Sequence, residues 1–177
     1  MIPLALRREL LLSLVALFLC SCGPSRGPST PIEISSAPRD KEAVVHVLDD
    51  FHDAAARADE ARYFAHFAEA GVFLGTDANE RWDVPAFRAY AHPHFAKGKA
   101  WRFRTVRRDI AFAPGGKVAW FDEDLATEKL GPARGSGVLL STPSGWKIVQ
   151  YNLSVTIPNE RFSEVRAVLE RPAPSAP

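Results

Sequence analysis

Cysteine is scarce: the chain has two in 177 residues, Cys20 and Cys22, both close to its start. Everything after Cys22 can form no disulfide and offers neither a thiol nucleophile nor a thiolate metal site. Neither sign of charge is in excess, with 22 Lys+Arg against 21 Asp+Glu, so no strong field is available to grip nucleic acid or an anionic membrane surface. The apolar run Leu10–Leu19 is too short to cross a bilayer as a stable helix. A Gly-rich phosphate loop, a serine-nucleophile motif and a CxxC pair are all missing. What is present is ordinary for a globular chain, 46% apolar and 24% charged residues, which excludes collagen, wholesale disorder and a polytopic membrane protein.

Arg7 and Arg8, followed by Leu10–Leu19, read as the charged and apolar regions of an export signal. Leu19-Cys20-Ser21-Cys22 then resembles a lipobox, with a bulky apolar residue three before Cys22 and a small residue just before it. Cys22 is therefore the expected lipidation site, because Cys20 has Leu19 where a small residue is wanted. Gly23, not Asp, follows Cys22; by resemblance to enterobacterial lipoproteins this directs the protein to the outer membrane, facing the periplasm. The alternatives are a plain cleaved secretory signal or an uncleaved anchor. Loss of residues 1–21 removes Arg7, Arg8 and Glu9 and leaves basic and acidic residues equal in number, so acyl chains, not a polybasic patch, would hold the membrane. Residues 22–40 are a Pro/Ser-rich tether and 169–177 a Pro/Ala-rich unstructured tail. Residues 41–168 between them are long enough to bury a core without disulfides.

Within 41–57, Val44, Leu48, Phe51 and Ala55 recur at helical spacing, with Asp40 as the expected cap. A second helix is expected over 60–70, gathering Tyr63, Phe64 and Phe67 and stopping at Gly71, before a short strand over 71–75. Asp83 opens a third helix with Pro85 in its first turn, and Pro93 ends it. Beyond residue 100 the period changes to that of strands. Residues 101–105 alternate, then Val106, Ile110 and Phe112 take the other phase, which calls for a bulge or bend within 104–109. Strands over 117–127, 135–142 and 146–157 follow, separated by Pro114-Gly115-Gly116, a loop over 129–134 and Pro143-Ser144-Gly145. Three helices, one short early strand and a four-strand antiparallel meander predict an α+β layer pair.

Several of these pieces together resemble one family. They are Gly75-Thr76-Asp77 leading to Glu80-Arg81-Trp82, then Val118-Ala119-Trp120-Phe121-Asp122-Glu123 and Arg134-Gly135-Ser136-Gly137-Val138-Leu139. The last are Gln150-Tyr151-Asn152-Leu153-Ser154 and Ile157-Pro158-Asn159-Glu160. Over roughly 41–162 the chain resembles the SnoaL-like branch of the nuclear transport factor 2 (ketosteroid-isomerase-like) superfamily. The resemblance implies a cone-shaped domain, its strongly curved mixed or antiparallel sheet wrapping the helices around a pocket open at one end. It also implies a homodimer through the sheet's outer face. The superfamily contains isomerases, cyclases, dehydratases, hydrolases and members with no catalysis, so fold does not decide function.

Candidate site residues follow from strand parity. Period 2 groups Trp120, Asp122 and Asp124 on one face of their strand, and Trp146, Ile148, Gln150, Asn152 and Ser154 on one face of the last. In a cone the faces carrying Trp and Ile turn toward the helices, so Trp120, Asp122, Gln150 and Asn152 are expected in a pocket with Phe73 and Trp82. In many relatives the positions equivalent to Gln150 and Asn152 hold histidine. Amides cannot move a proton near neutral pH, so here they orient a ligand or satisfy backbone groups.

Asp77 stands roughly where isomerases of the superfamily place a carboxylate base, beside Phe73, Trp82 and Tyr90, for proton abstraction next to a carbonyl. The alternative is a cap within the turn Gly75-Thr76-Asp77-Ala78-Asn79. Glu80 and Arg81, just before the third helix, are expected to pair with a strand charge or to sit in an exposed or structural ion pair. Of Asp122, Glu123 and Asp124 at least one must face each side, so one carboxylate reaches the cavity with Arg134 as partner, or the three form a solvated cluster at a hairpin end. His92 and His94 have a spacing that can bind zinc, but no ligand spacing ties His46, His52 or His66 to them. No metal and no cofactor are expected.

Two functions of different class remain. One is a membrane-anchored module that binds a small, mainly apolar ligand in the cone, or a partner protein at its mouth. The other is a proton-transfer enzyme of isomerase, cyclase or dehydratase type, with Asp77 as base, Tyr63 or Tyr90 as hydrogen-bond donor, and Gln150 and Asn152 orienting the substrate. Amides at the usual histidine positions favour the first. No nucleic-acid partner is expected.

Overall fold

The computed structural model describes residues 38–171. The export signal, Cys22, the tether as far as residue 37 and the tail from residue 172 lie outside the described residues.

The chain runs α1 (Pro38–Ala56), α2 (Glu60–Ala65), β1 (Phe67–Leu74), β2 (Arg81–Asp83), α3 (Val84–Ala96), β3 (Arg104–Phe112), β4 (Val118–Thr127), β5 (Gly131–Thr142) and β6 (Gly145–Val155). A 3-10 turn (Asn159–Arg161) and α4 (Phe162–Leu169) close it. One six-stranded sheet has the order β2-β1-β6-β5-β4-β3. Every neighbouring pair is antiparallel except β1 and β6. This is the expected α+β cone, with the meander β3 to β6 as its larger part. No described helix is long and apolar enough to cross a membrane.

The apolar stripe Val44, Leu48, Phe51 and Ala55 is buried as α1 packs on β3 and β6. Val44, Leu48 and Phe51 each contribute about 1.5–3 kcal/mol when fully buried. The ends of the helices differ from expectation in instructive ways. α1 starts at Pro38, so Asp40 lies in its first turn and is not its cap. α2 stops at Ala65 and β1 begins at Phe67, because the His66 carbonyl accepts a hydrogen bond from Ile148 N (2.8 Å) and sheet pairing takes over from the helix. Gly71 is therefore not a helix stop but lies within an irregular stretch of β1 between Phe67 and Val72. A side chain there would come within 2.9 Å of the Ala68 carbonyl and 3.1 Å of that of Ile148.

α3 begins as expected, with the Asp83 carboxylate accepting from Ala86 N (2.8 Å) and Pro85 in the first turn. It runs through Pro93 to Ala96. The missing proline N–H forfeits only the bond to the Ala89 carbonyl, and buried Phe95 holds the extra turn against Tyr63 and Trp101.

Two bulges set the parity of the sheet. On β3, Thr105 pairs with Leu125 and Arg107 with Asp124, leaving Val106 as the extra residue inside the expected window. On β6, Ile148 pairs with Leu139 but Gln150 with Val138, so Val149 is extra. Before this second bulge Trp146 and Ile148 point inward; after it Tyr151 does. β5 begins at Gly131, and so includes residues expected in a loop; β2 and α4 were not expected at all.

Candidate functional site

Sheet, helices and the segment 99–103 enclose a cavity of about 740 Å³. Its walls are aromatic planes laid nearly parallel. Phe73 stacks on Phe87 (3.9 Å, 12°), Trp82 on Phe87 (5.7 Å, 13°) and Phe73 on Tyr151 (5.7 Å, 3°). Tyr90 continues the stack over Trp82 at 4.5 Å. Phe51, Tyr63, Trp101, Phe103 and Leu153 complete the apolar lining.

At one end this aromatic slot meets a buried polar cluster. Glu123 on β4 is fully buried (0% exposed) and His52 on α1 is 7% exposed. His52 Nε2 donates to Glu123 Oε1 (2.7 Å), and the Tyr151 hydroxyl donates to the same oxygen (2.9 Å). The other oxygen accepts from Arg108 Nε (2.8 Å) and, at 3.5 Å, from Thr105 Oγ1. Arg108 also donates to Asp49 (2.7 Å) and Thr105 (3.2 Å). Burial alone would push the Glu123 carboxyl up, but the hydrogen bond and charge of His52, with the Arg108 guanidinium, outweigh it and hold it below the usual carboxylate range. The Tyr151 hydroxyl is pushed well up, first by burial and then by the Glu123 charge.

His52 and Tyr151 line the cavity, whereas Glu123 lies behind them and orients both. Among the described residues the second nitrogen of His52, Nδ1, has no hydrogen-bond partner. Gly135 on β5 makes room for the cluster. A side chain there would collide with the Tyr151 hydroxyl and lie 2.8 Å from Glu123 Oε1.

Of the residues expected at the site, Phe73, Trp82, Tyr63 and Tyr90 line the cavity. The Tyr63 hydroxyl is buried without a hydrogen-bond partner. Burial drives its pKa far above that of an ordinary phenol, against the smaller influence of the Trp101 indole beside it. Tyr90 is half exposed and carries its ring on Trp82.

Trp120, Asp122, Gln150 and Asn152 are placed on the other face of the sheet. On β4 the buried set is Ala119, Phe121, Glu123 and Leu125, because the opposite parity would bury Asp122 and Asp124 at a high desolvation cost. Trp120 is 38% exposed there, and Asp122 bonds Arg107 (2.9 Å). On β6 the Val149 bulge reverses the parity, turning Tyr151 and Leu153 toward the cavity and Gln150 and Asn152 outward. Arg134 faces outward too and lies 3.5 Å from Asp124, not beside the inward acid.

Asp77 is exposed in the turn after β1 and absent from the cavity wall. Its carboxylate accepts from Asn79 N (2.8 Å), and its own N–H donates to Glu80 Oε2 (3.1 Å). That is the capping arrangement. Glu80 thus serves this turn, and among the described residues neither Glu80 nor Arg81 takes part in an ion pair.

His92 and His94 diverge. His92 Nδ1 pairs with Glu60 (2.7 Å), while His94 lines the cavity mouth near Tyr90 and Trp101. Among the described residues no three His, Cys, Asp or Glu side chains lie close enough together to hold a metal. His66 pairs with Asp50 (2.8 Å) away from the cavity, its pKa lowered chiefly by burial.

His52, Arg108 and Tyr151 were not singled out from sequence. Only His52 carries a signal, four residues after Leu48 on the buried stripe; Glu123, one of the three consecutive acids, shares parity with Ala119, Phe121 and Leu125. Four cations also line the cavity, Lys99, Arg102 and Arg104 within 99–104 and Lys129 in the β4–β5 turn, and they form no motif.

Residues 44–158 match the profile of the SnoaL-like domain family. No curated protein sequence matches the chain. Among solved structures, it is similar to a domain of unknown function with a cystatin-like fold from Nostoc punctiforme (TM-score 0.60, 16% identity, 78% of this chain and 90% of that one). It is also similar to an NTF2-like protein of unknown function from Pseudomonas putida (TM-score 0.60, 10% identity, 71% and 93%). A third is a protein provisionally named an aromatic ring hydroxylase from Novosphingobium aromaticivorans (TM-score 0.59, 16% identity, 70% and 94%). At these identities the likeness is one of fold.

Proposed function

The chain belongs to the SnoaL-like domain family, and on that premise we propose that its cone binds a small, planar, mainly apolar ligand. One observation carries the reading: the parallel stack Tyr90, Trp82, Phe87, Phe73 and Tyr151 faces a cavity of about 740 Å³. Stacked aromatic walls favour flat apolar ligands through burial and offset π contact. Native mass spectrometry of the protein released gently from the envelope of its source organism tests this. A discrete small-molecule adduct with an aromatic absorption spectrum is expected. Folded protein that carries no adduct, and takes up no naphthalene-sized aromatic when offered one, would refute it.

A second reading, proton transfer on the bound ligand, is favoured by the His52–Glu123 pair. A carboxylate fixing one imidazole nitrogen leaves the other free to exchange a proton with a ligand in the cavity. The base role expected of Asp77 thus passes to His52, with Tyr151 and Glu123 as positioning residues. Deuterium exchange next to the carbonyl of an enolisable aryl ketone, followed by NMR, is expected with the parent protein and absent in His52→Gln. Unchanged exchange in that variant would overturn the assignment.

Two further parts of the proposal concern placement. The signal-like segment and Cys22 support a lipid-anchored protein of the outer membrane facing the periplasm, and Cys22→Ser should release it from membranes. The outer face carries exposed Val106, Trp120 and Leu140, which supports a homodimer through the sheet. Trp120→Glu should shift the assembly to monomer in sedimentation.

A further inference from the structure

The cavity's walls and its mouth differ in chemistry. Lys99, Arg102, Arg104 and Lys129 all line the opening. All four are exposed, and none lies within salt-bridge reach of a carboxylate among the described residues. Against them stand only two lining carboxylates, Glu80 and Glu128, and Glu80 is occupied with the Asp77 backbone N–H (3.1 Å). On a chain of balanced charge, 22 basic against 21 acidic residues, such a local excess is not a by-product of overall composition. Elsewhere on this protein arginines pair readily with acids, as Arg57, Arg62, Arg107 and Arg108 do. The mouth cations come from two segments, 99–104 and the β4–β5 turn, which close on the same opening. A cleft rimmed by one sign of charge concentrates ligands of the other sign, and arginine matches the oxygens of a carboxylate, sulfate or phosphate.

We propose that the cavity's ligand is an aromatic anion: a flat apolar body in the slot, with an acidic group held at the mouth by Arg102, Arg104, Lys99 and Lys129. This rests on the reading of the cone as a ligand-binding cavity and adds the charge class of what it takes. No other feature of the site requires an acid, since Glu123 is already saturated by His52, Tyr151 and Arg108.

The test is calorimetric titration of the full-length protein in lipid nanodiscs, with empty nanodiscs as blank, using the isosteric pair 2-naphthoate and 2-naphthamide. At low ionic strength the naphthoate is expected to bind about tenfold more tightly or better, since it offers a negative charge and two acceptor oxygens where the amide is neutral and carries an NH2 donor, and exposed charges act over about a Debye length. In Arg102→Glu/Arg104→Glu, both positions being exposed, the preference for the naphthoate over the amide should vanish or reverse. If that variant does not fold, Lys99→Glu/Lys129→Glu carries the same expectation. Equal binding of the two compounds by the parent protein, or a preference that survives charge reversal, would overturn the anionic assignment and leave the cavity reading standing. Binding of neither would overturn both.

Discussion

Three consecutive acids on β4 meet opposite fates, and the two faces of the sheet differ accordingly. Asp122 and Asp124 look outward and share Arg107 at 2.9 and 3.0 Å, in a group that also takes in Asp109 and Arg134, all of them substantially solvated. Glu123, one residue from each, is fully buried and bonded to His52, Tyr151 and Arg108. Outside, water competes with every contact, so each exposed pair adds about 0–1 kcal/mol. Inside, the charge has lost its water and depends wholly on its partners. Such a pair is not a cheap source of stability, yet removing one member leaves a buried orphan. What the inner cluster provides is position: it fixes an imidazole and a phenol at the edge of an apolar slot. The outer group provides a solvated, specific surface and little else.

The largest effect that would break this contrast is on Glu123. Glu123→Ala should cost about 3–5 kcal/mol in chemical denaturation, because His52 and Arg108 lose their common partner. Asp122→Ala, beside it, should cost under about 1 kcal/mol. Equal losses would erase the distinction. Gly135→Ala comes next. The added methyl must displace Tyr151 or Glu123, and about 1–3 kcal/mol should be lost, with a change in near-ultraviolet circular dichroism as the Tyr151 ring shifts.

A pH series sharpens the comparison further. The folded pKa of Glu123 lies below its ordinary value of 4.5, so the folded state binds the proton less readily than the unfolded chain. Its contribution is present above the unfolded value and is lost as pH falls through the folded one. The parent protein should therefore lose stability more steeply than Glu123→Gln as pH falls below the ordinary carboxyl value of 4.5. Parallel curves would show that Glu123 is not held as a carboxylate. Smallest of all, Arg107→Ala should change stability by about 0–1 kcal/mol and lose even that in high salt.

Much of this fold can be read from the sequence because its signals are local. The α1 stripe, the Asp83 cap, the Val106 bulge and the four-strand meander each announce themselves within a few residues. The parity of β6 does not. Trp146, Ile148, Gln150 and Asn152 keep one phase on paper, and the Val149 bulge that reverses them depends on how β5 and β1 pair with the strand. Phe73, Trp82, Tyr63 and Tyr90, expected at the site beside Asp77 or as hydrogen-bond donors, do line the cavity, although Asp77 does not. The buried cluster was partly legible: three acids in a row on an apolar strand required one to point inward. Parity read from Trp120 turns Asp122 inward, whereas Ala119, Phe121 and Leu125 outweigh that single tryptophan and turn Glu123 in. That His52 meets Glu123, 71 positions away, is a property of tertiary packing alone.

Glu123 fixes His52 at the cavity through a hydrogen bond from Nε2. Proton–nitrogen correlation spectra of protein labelled with 15N-histidine test it most directly, because an ionised carboxylate can only accept and the imidazole must then carry the proton on that nitrogen. A downfield, slowly exchanging Nε2–H resonance of His52 is expected in the parent protein and in Asp122→Asn, and should disappear in Glu123→Gln. A His52 side chain without such a protected proton, or one unmoved by Glu123→Gln, would contradict the account.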